Sequence, residues 1–185
     1  MRKPTRIRGI ALRITGALLL IAGLGFVGLL LAYRFDNTTR IYTAVTIERP
    51  IDMVFEYVTT PANWPKWHPA SLAVSGATNH SLDVGEKVTE DFQTAERRGT
   101  VVWTVVARQA PRSWVIAGKV TGSEGEGVIT YTLSPHAQGT TFAREFVYGS
   151  PTVLFYIINK LTLQNAIMAE SEKALRRLKQ QLESR

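Results

Sequence analysis

Residues 45–69 read VTIERPIDMVFEYVTTPANWPKWHP. The first residues close a run from Thr39 to Glu48, TRIYTAVTIE, whose β-branched and aromatic composition is that of a strand. Pro50 ends the run and opens a short helix, IDMVFEYVTT, with Asp52 in the first turn, where the helix dipole favours an acid. Ile51, Val54, Phe55 and Val58 recur at i, i+3, i+4 and i+7 and form its apolar stripe. Pro61, Pro65 and Pro69 then remove backbone donors and push the residues before them away from helix. The corner over residues 60–70 is therefore stiff, and it carries Trp64, Trp67 and His68. Two readings stand. The tryptophans close a core beneath the corner, since aromatics bury large areas, or they frame the mouth of a cavity with His68 as its polar group.

Downstream, strand-like runs are expected at about Ser71–Ser75, Lys87–Gln93, Gly99–Arg108, Ser113–Val120, Gly127–Ser134 and Thr140–Tyr148. The separators APR, GSEGEG and SPHAQG are short, so consecutive strands pair antiparallel. A long helix is expected from about Pro151 to Ser184. Its expected inward stripe starts at Leu154, Ile158 and Leu161, passes Asn165, Met168 and Glu172, and ends in Leu175, Leu178 and Leu182. Such a helix must bury its stripe, and the sheet offers the only large surface. A curved sheet wrapped around one helix leaves room for a cavity.

The order strand, proline, short Val-Phe helix and tryptophan-proline corner resembles the START-like (SRPBCC) helix-grip superfamily of polyketide cyclase/dehydrase and lipid-transport proteins. VVARQAP before a hairpin, YTLSP followed by GTT, and the terminal ALRRLKQQLE extend the resemblance over residues 40–184. It implies an α+β fold: a seven-stranded curved antiparallel sheet gripping a long C-terminal helix around a hydrophobic cavity. It also implies a lipid, sterol or polyketide-like ligand. The superfamily has no invariant catalytic motif, so the resemblance assigns no catalytic residue.

The N-terminus lies outside that pattern. Residues 14–33, ITGALLLIAGLGFVGLLLAY, carry no charge and have the length a helix needs to cross a bilayer. Spaced glycines are common in such helices. Of the 22 basic residues six lie in the first 34 positions, where there is no acid, and the rest of the chain is close to neutral. The excess charge thus belongs to a basic flank (Arg2, Lys3, Arg6, Arg8, Arg13) and not to a groove for nucleic acid, which is not expected as a partner. A cleaved signal has a shorter apolar region and a small-x-small site; this run is longer, and Leu30, Leu31 and Ala32 do not supply one. The expected organisation is a basic cytoplasmic segment (1–13), a transmembrane anchor (14–33), a linker (34–39) and a helix-grip domain (40–185) outside the cytoplasm, periplasmic in a bacterium.

The alternation in TFAREFVYG sets Phe142, Arg144, Phe146 and Tyr148 on one face. If that face points inward, Arg144 needs a partner. Glu90 can supply it, or Arg144 reads the carboxylate or phosphate of a ligand. Trp103, Trp114 and Tyr131 join that expected wall, with Trp67 from the corner and Asn165 from the helix. His80 and His136 fall in loops, the histidine spacing fits no metal motif, and no cysteine is present, so neither metal nor cofactor is expected. Few titratable groups fall where a pocket can hold them, which favours binding of a hydrophobic molecule at a membrane over chemistry. A cyclase- or dehydratase-type enzyme is the alternative.

The charge asymmetry carries a topology prediction. A C-terminal alkaline phosphatase fusion in a bacterial host should be active, and a reporter that works only in the cytoplasm should stay silent. The reverse pattern overturns the orientation, and a mature chain beginning near Tyr33 shows a cleaved signal instead.

Overall fold

The computed structural model describes residues 5–95 and 97–184. The first four residues of the basic flank lie outside that range. The chain divides into two compact units, residues 1–37 and 38–185.

The first unit contains one helix, α1 (Thr5–Phe35). Its stretch Arg13–Arg34, 22 residues, is long and apolar enough to cross a membrane, and none of its apolar window is buried. At 1.5 Å per residue it spans about 33 Å, close to the thickness of a hydrocarbon core.

The second unit starts with β1 (Thr38–Ile47), followed by α2 (Ile51–Thr59), a 3₁₀ turn (Pro61–Asn63) and the four-residue α3 (Trp64–Trp67). Six strands follow: β2 (Ser71–Gly76), β3 (Lys87–Thr94), β4 (Arg97–Gln109), β5 (Ser113–Val120), β6 (Glu126–His136) and β7 (Gly139–Gly149). The chain closes with α4 (Val153–Ile158), a π-helical segment (Asn159–Leu163) and α5 (Gln164–Glu183), one continuous helical run. The seven strands form one antiparallel sheet in the order β1-β7-β6-β5-β4-β3-β2. Register shifts at Ser71/Ala73 and Val105/Ala107 are the bulges that bend it.

Each turn of the opening stretch has a local cause. Val54, Phe55 and Val58 are buried while Ile51 packs at the edge, so the stripe of α2 faces the core. The corner tightens because Trp64 lends its indole N–H to the carbonyl of Val58 at 2.9 Å. Trp64 meets Trp114 edge-on at 6.2 Å, and Trp114 stacks on Tyr131 at 5.4 Å. Trp67 is fully buried against Tyr131 and Phe142. On the other side, Ala174, Leu175, Leu178 and Leu182 of α5 are buried. The end of α5 is fastened to the end of β1: Lys179 donates to the Thr46 carbonyl at 2.8 Å, and the Glu48 amide donates to Glu183 Oε1 at 2.8 Å.

The expected helical stripe is corrected in its first two thirds. Leu154 and Leu161 are 67% and 72% exposed, and Asn165 and Glu172 are exposed as well. At about 100° per residue, stepping on from Leu154 and Leu161 follows the outer face. The buried line runs instead through Tyr156, Asn159, Ser171, Ala174 and Leu178, with the π segment adding a residue to one turn between its halves.

Trp67 fills the space between corner, sheet and helix. Trp67→Ala should destabilise the protein by about 3–5 kcal/mol, measured by chemical denaturation. A variant that keeps full stability would show that the corner does not close the core.

Candidate functional site

The packed rings occupy one half of the concave face. The other half is a cavity of about 400 Å³ between the sheet and the helical run, lined mainly by apolar side chains and within the range of small-molecule sites. It opens at the end where the β3–β4 and β5–β6 hairpins meet the start of α4: Arg97, Ser123, Pro151 and Phe155 border it there. Three aromatic rings press against glycines on the sheet wall. A Cβ at Gly99 would stand 2.8 Å from the Phe92 ring and one at Gly127 2.6 Å from the Phe146 ring; one at Gly118 would collide with Trp103.

Arg144 is the cation of this wall and is only 5% exposed. Tyr131 stands directly across from it on β6. Arg144 Nη1 donates to Ser171 Oγ of α5 at 3.2 Å, and its guanidinium lies 5.5 Å from the Phe146 ring centre. Its Nε is buried with no hydrogen-bond partner, and so is the indole Nε1 of Trp67. Unmet buried donors of this kind cost about 1–3 kcal/mol each. Glu90, the expected partner, makes no ion pair with Arg144 among the described residues; its Oε2 accepts from Trp103 Nε1 at 2.7 Å. Burial pushes the Glu90 carboxyl up, against the bonds from Ser71 and Trp103 and the charge of Arg144. Burial also pushes the Tyr131 hydroxyl up to about 12, opposed by Arg144.

His68 ends the corner and reaches the cavity. The residue as a whole is half-buried, while Nε2 is sealed off and has no partner. Burial, and then repulsion from Arg144, hold the imidazole well below its ordinary 6.5, so it is neutral at pH 7. Near the opening, Tyr148 donates to Asn159 Oδ1 at 2.7 Å, and Asn159 Nδ2 donates to Thr39 Oγ1 at 2.7 Å. This buried relay fixes the π segment to the start of β1.

The wall expected from sequence is thus partly redistributed. Trp67, Trp103, Tyr131, Arg144, Phe146 and Tyr148 border the cavity. Trp114 and Phe142 are fully buried and pack behind it. Asn165 does not border it, because it sits on the exposed face of α5. His80 holds Glu86 at 3.0 Å on the surface, and among the described residues no group of three His, Asp or Glu side chains is placed to hold a metal.

The family profile described as polyketide cyclase/dehydrase and lipid transport matches residues 38–183. The chain belongs to that family. Similar solved structures include a Rhodobacter sphaeroides protein, at 19% identity over 79% of this chain and 93% of that one, with a TM-score of 0.59. Ginseng major latex-like protein 151 from Panax ginseng aligns at 12% identity over 80% and 99% of the two chains, with a TM-score of 0.61. Protein Ms6760 from Mycobacterium smegmatis aligns at 17% identity over 80% and 92%, with a TM-score of 0.57. At such identities the likeness shows the fold alone. Comparison with curated proteins returns no match.

His68 borders the cavity, as one of the two readings of the corner has it. One cavity group, Ser171, escapes the reading of the sequence. Ser171 becomes visible only when the buried line of α5 is carried back from Leu178 by seven residues.

His68 makes stability depend on pH. Its folded pKa is depressed, so below about pH 6.5 the unfolded chain takes up a proton that the folded one refuses, and acid destabilises with a limiting slope of about 1.4 kcal/mol per pH unit. Denaturation between about pH 7.5 and 5.5 should show a drop that His68→Gln reduces by about 1 kcal/mol. Equal drops in both proteins would mean that His68 titrates freely.

Proposed function

We propose that the domain binds a hydrophobic small molecule whose polar end carries an oxygen acceptor, and that α1 anchors the domain in a membrane. The observation that carries this reading is the apolar cavity whose wall includes the buried guanidinium of Arg144, with no carboxylate paired to it among the described residues. An acidic head compensates that charge, because a carboxylate accepts charge-assisted bonds from a guanidinium. The ligand's apolar body then runs along Ile116, Ile129 and Phe146 toward the opening. A membrane anchor suits such a ligand, which partitions into lipid and reaches a tethered domain at high effective concentration. Membership of a family described by lipid transport supports the same ligand class.

A cyclase- or dehydratase-type reaction is the second reading. It is favoured by a neutral His68 and a Glu90 with a raised pKa in one cavity, the pattern of acid–base sites.

Native mass spectrometry of the full chain, released from detergent micelles in the gas phase, should retain one small hydrophobic molecule per chain. Arg144→Met keeps much of the stem volume and removes the charge. It should stay folded and bind palmitate about 10- to 100-fold more weakly, as expected for loss of a charge-assisted bond, while hexadecanol binding is unchanged. Equal loss of both ligands, or of neither, overturns the role of Arg144. An empty protein overturns the binding reading.

A further inference from the structure

The outer face of α4 and the π segment is apolar where water is expected. Leu154 and Leu161 are 67% and 72% exposed, two helical turns apart, and Val153, Ile157 and Ile158 between and beside them are only half-buried. A lone exposed leucine is ordinary; here the leucines share a segment with the edge of the cavity opening, which Phe155 lines. The segment cannot drift, because Asn159 is fully buried between Tyr148 and Thr39. Thr38 pairs with Gly149, the last residue of β7. The cavity opening, the exposed leucines and the first residues of β1 therefore share one end of the sheet. The β6–β7 hairpin with Ala137 marks the other end, since β6 and β7 run away from the opening over 11 residues each, about 35 Å.

We propose that the Leu154–Leu161 face seats on the lipid surface beside which the chain emerges, so that the cavity opens toward the bilayer. This rests on reading α1 as a membrane anchor. The apolar stretch ends at Arg34, and Thr39 follows five residues later. A chain of that length reaches at most about 17 Å. Thr39, and with it the Asn159 bonded to its hydroxyl, therefore stays near the headgroup layer whatever the direction of α1. Leu161 is two residues from Asn159. The tether keeps this face close to lipid, so even weak apolar contact is enough to hold it there, and lipid is the occupant that covalent linkage guarantees. An apolar ligand then passes between bilayer and cavity without crossing water.

The chain has no cysteine, so single nitroxide labels can be placed in the full protein at Leu161→Cys, Ala137→Cys and Val27→Cys. In nanodiscs of phosphatidylcholine and phosphatidylglycerol, power-saturation EPR compares collisions with oxygen and with a water-soluble nickel chelate. The labels at 27 and 161 should favour oxygen, and the label at 137 should favour nickel. A lipid-buried label at 27 with an aqueous one at 161 overturns the docking and leaves the anchor standing. An aqueous label at 27 overturns both. A label at 161 shielded from both reagents shows that protein covers the face and overturns the proposal. As a second reading, Leu154→Glu combined with Leu161→Glu changes two exposed side chains and should leave the fold intact. Uptake of a fluorescent fatty acid from the nanodisc should slow at least about ten-fold, since a charge at a lipid-seated position is strongly disfavoured; unchanged uptake overturns the proposal.

Discussion

One helix is too narrow to fill the concave face of a curved seven-stranded sheet. The C-terminal helix covers β1 and the corner beside it, and fastens to the end of β1 through Lys179 and Glu183. What remains of the concavity has to be plugged or left open. At one end the chain plugs it with rings: Trp64, Trp67, Trp114, Tyr131 and Phe142 interlock at centroid distances of 5.0–6.4 Å. Three prolines in eleven residues hold the corner that delivers two of them. At the other end nothing comparable is delivered, and the cavity persists.

The boundary between the two halves is where the polar groups stand. Arg144 meets the Ser171 hydroxyl, the Tyr131 hydroxyl and a ring face, none of which carries the negative charge that a buried guanidinium calls for. Glu90 feels its charge without pairing with it, because the Trp103 indole takes the carboxylate. The arrangement keeps opposite charges apart in a low-dielectric space. A carboxylate that bonds an indole leaves the guanidinium without an anionic partner, which is costly in a low-dielectric space.

The sequence made the strands and the shared face of Phe142, Arg144, Phe146 and Tyr148 legible because a period of two reports which side chains lie together; that this face turns inward comes from the structure, where Arg144 is buried. The alternation Phe142, Arg144, Phe146, Tyr148 needed no tertiary information. The partner of Glu90 was not legible, since the choice between Arg144 and the Trp103 indole is made by side-chain geometry across strands. The helix misled for a different reason. Its apolar residues at Leu154 and Leu161 imitate a core stripe, and spacing alone cannot tell a face turned to protein from one turned elsewhere. Asn165 was carried into the wall by that extrapolation. The π segment adds to the difficulty, because an extra residue in one turn leaves no mark on composition.

The rings pressed against Gly99, Gly118 and Gly127 have a further consequence. The width of the chamber is set at positions that have no side chain. A methyl group at Gly118 has no room beneath Trp103, so the indole must tilt away from the sheet and into the open volume. Chamber width and the polar groups are therefore coupled through two rings: Phe146 faces the Arg144 guanidinium and Trp103 holds the Glu90 carboxylate. A side chain added at Gly118 or Gly127 would disturb the polar end together with the open volume.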